Sequence, residues 1–211
     1  MGLESPVNVA VIDHGTGNLT SLVRALERLG ANPVRIAPTA CHDDFDAACL
    51  PGVGAFPAAM AALKAQGWID WIGSWVASGK PLMGICLGMQ LLFDRSFEIE
   101  VTEGLGLIGG DVSEISAMGE RVPHIGWSEI TWTQINPLQA GLESGSAMYH
   151  VHSFVARPTE ETSILATAIH GEEFATAVWN GSNVFGAQFH PEKSSEDGLR
   201  LLANFLALGK G

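Results

Sequence analysis

The sequence predicts an α/β protein: a mostly parallel sheet with helices on both faces, extended by antiparallel strands. Three observations carry this. Short apolar runs alternate with helix-period segments through the first half. Beyond about Gly104, short β-type segments follow one another. Residues 197–208 then return to helical spacing. No repeat, low-complexity tract or linker divides the 211 residues, so a single domain over 1–211 is expected.

Residues 7–12 form an apolar run ending in Asp13 and the turn Gly15-Thr16-Gly17. Asn18 is a candidate cap for a helix whose apolar residues Leu19, Leu22, Val23 and Leu26 fall at i, i+3, i+4 and i+7, with Gly30 as terminator. Strands are predicted at 33–36 and 47–50, and one or two helices between 56 and 79, broken near Gly67. A buried strand at 81–85 leads into a helix over 87–93. In the second half, β-segments are expected at 121–132, 147–155, 164–168, 174–179 and 184–189. The closing helix is expected to bury Leu199, Leu202, Ala203 and Leu206, with Ser194 and Asp197 at capping-box spacing.

Composition bounds the function. With 46% hydrophobic and 16% charged residues the chain is globular, and its length allows a substantial core. A net charge of −12 argues against a nucleic-acid partner, which needs a clustered basic surface. No apolar run is long enough to span a bilayer, the N-terminus lacks the pattern of a signal peptide, and Pro6 breaks a myristoylation pattern. Three cysteines, Cys41, Cys49 and Cys86, form no disulfide framework, so free thiols and a cytoplasmic setting are expected.

Chemistry concentrates in three motifs. Gly84-Ile85-Cys86-Leu87-Gly88 has the small–x–nucleophile–x–small spacing of a strand-to-helix elbow, where a strained backbone needs small neighbours. The elbow lifts the sulfur to a helix N-terminus, which favours thiolate, and makes the Leu87 N–H an oxyanion donor. Cys49, inside a strand, reads instead as a packing residue. Gly186-Ala187-Gln188-Phe189-His190-Pro191-Glu192 offers a base, His190, at the end of an apolar strand, with Glu192 close enough to orient it. Leu50-Pro51-Gly52-Val53-Gly54-Ala55-Phe56 is a glycine-rich turn that lacks the lysine of a phosphate loop. Its N–H groups suit an oxyanion, and Gly52 and Gly54 permit the Val53 peptide to rotate.

Together PGVGAF, GICLGMQ and QFHPEKS resemble the class I, triad-type glutamine amidotransferases, in the order that family carries them. The resemblance implies a flavodoxin-like fold and a Cys86–His190–Glu192 triad. In it Cys86 attacks the amide carbon, His190 passes a proton to leaving ammonia, and a γ-glutamyl thioester is hydrolysed. No metal and no organic cofactor is implied. The segments VIDHGTGNL (11–19), RVPHIGW (121–127) and YHVHSF (149–154) are similar to the glutaminase subunits of imidazole glycerol phosphate synthases of histidine biosynthesis. Met89 after Cys-Leu-Gly, and QFHPEKS, set the chain apart from anthranilate synthase glutaminases. That resemblance implies a heterodimer with a cyclase subunit, a TIM barrel, which receives the ammonia. The pair converts a phosphoribosyl-formimino precursor into imidazole glycerol phosphate and aminoimidazole carboxamide ribotide. It places substrate contacts on Gly52, Val53, Gly54, Leu87, Gln90, Glu98 (for the α-ammonium), Ser153 and Phe154, and partner contacts on Asn18, Trp127 and Lys193. The oxyanion loop is expected to respond to the cyclase's own ligand. The sequence departs from the family pattern at His14, Gly109, Ser128, His150 and Phe154.

The remaining candidates have plainer readings. Glu98 alone would pass for a solvated acid. His150 and His152 share a strand face, which suits a metal only with further ligands, so a structural or substrate-shaping role is expected. Trp68, Trp71 and Trp75 at i, i+3 and i+7 read as one buried helix face, and Cys41 as an inert loop residue. Two rival functions are a dormant scaffold regulating a synthase, against which all three triad residues are intact, and a stand-alone γ-glutamyl hydrolase, which has no use for partner-facing segments.

Overall fold

The structure is a computed structural model that describes residues 5–15, 19–116 and 118–210. In its first half, β1 (Asn8–Ile12), β2 (Asn32–Ile36), β3 (Ala47–Gly52) and β4 (Leu82–Cys86) alternate with α1 (Leu19–Arg28), α2 (Phe56–Gln66) and α3 (Trp68–Ala77). A four-residue helix, α4 (Leu87–Gln90), follows β4 directly. Next come β5 (Arg95–Ser96), β6 (Thr102–Glu103), β7 (Gly110–Glu114), β8 (His124–Glu129), β9 (Thr131–Trp132), β10 (Ala147–His152) and β11 (Phe154–Pro158). The chain ends through β12 (Ile164–His170), β13 (Glu172–Trp179), β14 (Val184–Ala187) and α5 (Ser195–Leu208).

The large sheet has the order β2-β1-β3-β4-β14-β13-β11-β7-β5-β6, with β12 and β9 attached beside β13. β2, β1, β3, β4 and β14 are mutually parallel, and β13 begins the antiparallel part. Alternating residues of β1 feed two separate cores. Val9 and Val11 pack with α1 and α5, while Ala10 and Ile12 pack with α2 and α3. Period-two alternation therefore puts helices on both faces. Gly67 is left-handed (φ 84°), donates to the Leu63 and Lys64 carbonyls, and so ends α2 where α3 begins. Trp68, Trp71 and Trp75 are buried on α3, with the Trp71 and Trp75 rings stacked 5.2 Å apart.

Several boundaries differ from expectation. The helix predicted over 87–93 stops at Gln90, because residues 91–93 turn away to hold the loop after it: Leu105, Gly106 and Leu107 donate to the carbonyls of Leu91, Phe93 and Leu92. The segment 121–132 divides into β8 and β9. The segment 147–155 divides at Ser153, and its halves join different sheets: among the described residues β10 pairs only with β8, while β11 enters the large sheet. β14 ends at Ala187, so His190 lies three residues past the strand. The stripe of α5 is Gly198, Leu201, Leu202, Phe205 and Leu206, while Leu199 and Ala203 are only partly buried. Ser194 makes no side-chain cap; its hydroxyl is used elsewhere. β5, β6 and β7 had no periodic signal. Asn18 lies outside the described residues, and no helix among those described is long and apolar enough to cross a membrane.

Candidate active site

Cys86 ends β4 at the carboxyl edge of the parallel strands, where the chain turns into α4. Its backbone, φ 57° and ψ −115°, lies where L-residues seldom go. The packing beneath explains the flanking glycines. A Cβ on Gly88 would overlap the Leu50 carbonyl, one on Gly84 would sit 2.5 Å from the Gly88 oxygen, and one on Gly52 would press on Leu87 at 3.2 Å. Gly52 thus serves close approach, whereas Gly54, at φ 102° with open space around it, serves backbone conformation. With only four residues, α4 contributes little dipole to Cys86, less than a longer helix would.

β14 lies beside β4 with Ala187 opposite Ile85, which brings the turn after β14 alongside Cys86. His190 begins that turn. Its N–H donates to the Tyr149 carbonyl (2.8 Å), and its own carbonyl accepts from the Ser194 hydroxyl (2.7 Å). The same hydroxyl accepts from the Tyr149 N–H (2.9 Å), so buried Ser194 clamps the turn to β10. The sequence held no signal for this beyond a serine placed like a cap. His190 Nδ1 donates to Glu192 Oε1 at 2.8 Å, which leaves the buried Nε2, turned to the Cys86 side, as the nitrogen that exchanges a proton. Burial works to lower the affinity of His190 for a proton. Hydrogen bonding and charge attraction from Cys86 and Glu192 outweigh it and raise the pKa to about 9. The Cys86 sulfur also lies 3.8 Å from the Val151 carbonyl. Cys49, buried first of all and then opposed by the Glu192 charge, is pushed up to about 12 and stays a protonated packing residue.

A cavity of about 310 Å³ opens over the sulfur. Val53, Gly54, Cys86, Leu87, Gln90, Glu98, Ser153, Phe154 and His190 line it, so nine of the predicted residues meet there. Glu192 stands behind His190, and Gly52 lies beneath α4, neither reaching the cavity wall. Pro123, Val151 and His152 also line it. Of these, Pro123 and Val151 escaped sequence reasoning, although both lie inside the quoted 121–127 and 149–154 segments. Trp127 and Lys193 are outside the cavity: Trp127 is exposed on β8, its ring 6.0 Å from Tyr149, and the Lys193 ammonium sits 5.8 Å from the same tyrosine ring.

The polar ends of the cavity are held from behind. The Gln90 amide nitrogen donates to the Phe154 carbonyl (2.9 Å) and to Gln188 Oε1 (3.0 Å), leaving the Gln90 oxygen outside these bonds. Glu98 Oε2 accepts from the Phe56 N–H at the start of α2 (2.7 Å). A three-residue turn presents it: the Glu100 N–H donates to the Glu98 carbonyl (2.6 Å) around Ile99, whose φ is 64°. A β-branched residue in that region is strained, and Ile99 is 84% exposed, so burial does not compensate. His14 donates through Nε2 to the Pro51 carbonyl (3.0 Å) and so steadies the base of the glycine-rich turn. Among the described residues, no group of three or more His, Cys, Asp or Glu is placed to hold a metal ion.

The family model for glutamine amidotransferase class-I matches residues 10–208. The chain belongs to that family. Among amidotransferases of this family it is similar to an imidazole glycerol phosphate synthase subunit HisH 1 of Prochlorococcus marinus (strain MIT 9313), at 42% identity over 95% of this chain and 97% of the relative. It is also 44% identical to the HisH subunit of Moorella thermoacetica, over 93% of each chain. Among solved structures, PurLQS from Thermotoga maritima superposes with a TM-score of 0.76 at 23% identity, covering 97% of this chain and 99% of that one. A crystal structure of a glutamine amidotransferase gives 0.70 at 23% identity, over 96% and 99%. These two structures establish the fold, an α/β amidotransferase architecture.

Proposed function

We propose that this amidotransferase is the glutaminase subunit of an imidazole glycerol phosphate synthase, one domain over residues 1–211, acting in the cytoplasm as a heterodimer with the cyclase subunit. The observation that carries it is the placement of Cys86 and a Glu192-oriented His190 on one small cavity, in a chain more than 40% identical to HisH subunits. The cavity is at the small end of the range for ligand sites, which suits a free amino acid.

In this reading each residue has a step. The Cys86 sulfur adds to the side-chain carbonyl carbon of glutamine with its proton held on His190 Nε2, where the raised pKa keeps the ring an imidazolium. The Leu87 N–H and an N–H of the Gly52–Gly54 turn stabilise the oxyanion. His190 then protonates the departing nitrogen, the C–N bond breaks, and ammonia leaves a γ-glutamyl thioester. Water adds to the thioester with His190 as base, releasing glutamate and restoring the thiol. Glu98 and the Gln90 oxygen face the substrate ammonium, and the backbone at Ser153 and Phe154 faces its carboxylate. The outward side of β8 and β10, with Trp127 and Lys193, meets the cyclase, and the family resemblance adds Asn18 as a partner contact.

The test measures glutamine-dependent and ammonia-dependent synthesis by the two-subunit complex, with and without the cyclase's ligand. Cys86→Ser is expected to abolish the glutamine-dependent reaction, by a thousandfold or about that order, and to spare the ammonia-dependent one. Sustained turnover of glutamine by this variant would remove Cys86 from the mechanism. A glutaminase rate indifferent to cyclase and ligand would favour a stand-alone hydrolase.

A further inference from the structure

β8 and β10 form a two-stranded ribbon with His124 directly opposite His152 and Gly126 opposite His150. Strand alternation therefore gathers His124, Ser128, His150 and His152 on its inner face, with Trp127 and Tyr149 on the other. The mechanism above uses none of these four polar residues. His150 bonds separately to the Met148 carbonyl and the Thr176 hydroxyl, but the hydrogen bonds of the other three form a single directed chain. The Phe154 carbonyl can only accept, so His152 donates to it from Nδ1 (3.0 Å) and carries its lone pair on Nε2. That lone pair faces His124 Nδ1 at 3.0 Å, which must then carry the hydrogen. His124 Nε2 is left as an acceptor, and the Ser128 hydroxyl lies 2.9 Å from it. Only one arrangement of protons satisfies all these atoms if the rings are neutral. Burial lowers the pKa of His152 to about 3 and of His124 to about 4, the neighbouring rings adding to the effect, so they are neutral at physiological pH.

The inner end of the chain is the same Phe154 carbonyl that fixes the Gln90 amide. The outer end, half-buried Ser128, follows exposed Trp127 on β8. We infer that His124 and His152 are positioning residues for glutamine: through the path Ser128 → His124 → His152 → Phe154 carbonyl they hold the pocket wall and the Gln90 amide, and they tie the ribbon's outer surface to that wall. The inference deepens the amidotransferase reading and rests on it for its kinetic consequence, but the proton arrangement stands independently.

The experiment uses the full chain in complex with its cyclase. His124→Leu removes the donor that His152 Nε2 needs, whereas His124→Asn retains an N–H at the Nδ1 position. The expected result is a KM for glutamine about tenfold higher in the Leu variant, with kcat changed much less, and a KM near the original in the Asn variant. Ser128→Ala, at the far end, should raise KM about twofold. Nitrogen-15 NMR of the imidazoles provides the second readout: His124 and His152 should both show the Nδ1–H tautomer, and His152 should lose it or become mixed in His124→Leu only. An Nε2–H tautomer at His152 in the unvaried protein would overturn the path whatever the activity. So would equal KM values for the Leu and Asn variants when both fold. Absence of any glutaminase activity in the unvaried complex would instead refute the proposed function, while the NMR result would still decide the path.

Discussion

His190 and His152 line the same cavity and are almost equally buried, 5% and 7% exposed, yet they treat protons in opposite ways. His190 holds its proton up to about pH 9, while His152, with His150 beside it, resists protonation down to about 3. Burial opposes the charged ring in every case, and the partners decide the outcome. Nδ1 of His190 faces a carboxylate, and a thiol contributes from the other side. His150 and His152 face carbonyl and hydroxyl oxygens, each other, and His124, which stacks on His150 at 4.9 Å and on His170 at 4.1 Å. The difference separates a ring built to exchange a proton from rings built to hold a shape.

The contrast should break most visibly at Glu192. Glu192→Gln keeps the size of the side chain but removes the charge, leaving His190 with the burial penalty less opposed. Its pKa should fall from about 9 towards the ordinary imidazole value or below, and kcat/KM for glutamine should drop by about a hundredfold or more. The pH–rate profile checks this: if its limbs stay in place, Glu192 does not set the charge state of His190.

Stability should show the opposite sign for the ribbon. His124, His150 and His152 have folded pKa values depressed to about 4, 3 and 3, against about 6.5 when unfolded. Above about pH 6.5 neither state binds these protons and stability is complete. As the pH falls towards 4, the unfolded chain takes up protons that the fold refuses, and stability is lost, by roughly 2 kcal/mol per ring at pH 5. His190 behaves in reverse: its contribution is full below about 6.5 and is lost as pH rises through about 9. Denaturant titrations between pH 6.5 and 5 should therefore show falling stability, and His150→Phe should flatten the fall by about one ring's share, although it orphans the Thr176 hydroxyl.

The smallest effect concerns Ile99, whose strained turn sharpens the comparison because it fixes a carboxylate rather than an imidazole. Ile99→Gly relieves a left-handed β-branched residue but loosens the unfolded chain, so a net gain of up to about 1 kcal/mol is expected. KM for glutamine should rise as Glu98 becomes less fixed. A loss of thermal stability would show that the turn is not strained.

The parallel half of the fold was legible because its strands are apolar runs and its turns carry glycines that do one job each, as at Gly67. The elbow was legible for the same reason: Gly84 and Gly88 are required by backbone contacts four residues apart or less, or by the neighbouring strand. What escaped was set by distant partners. Nothing local to Ser153 shows that the chain leaves one sheet for another there. Ser194 has the spacing of a cap, but Tyr149 and His190 claim its hydroxyl. The spacing of His150 and His152 disclosed a shared face, while His124, which makes the pair into a path, approaches from a strand that sequence cannot align with them.

Among the described residues, β8 and β10 hydrogen-bond as strands only to each other. Cys86 is anchored in the large sheet, whereas the backbone of His190 is fastened to Tyr149 on the ribbon, and Val151 and His152 of the ribbon face the cavity. The imidazole of the reaction centre is thus held between the two sheets, three residues past β14 of the larger one and fastened to Tyr149 of the smaller one, so the seating of the ribbon bears directly on the gap between sulfur and imidazole.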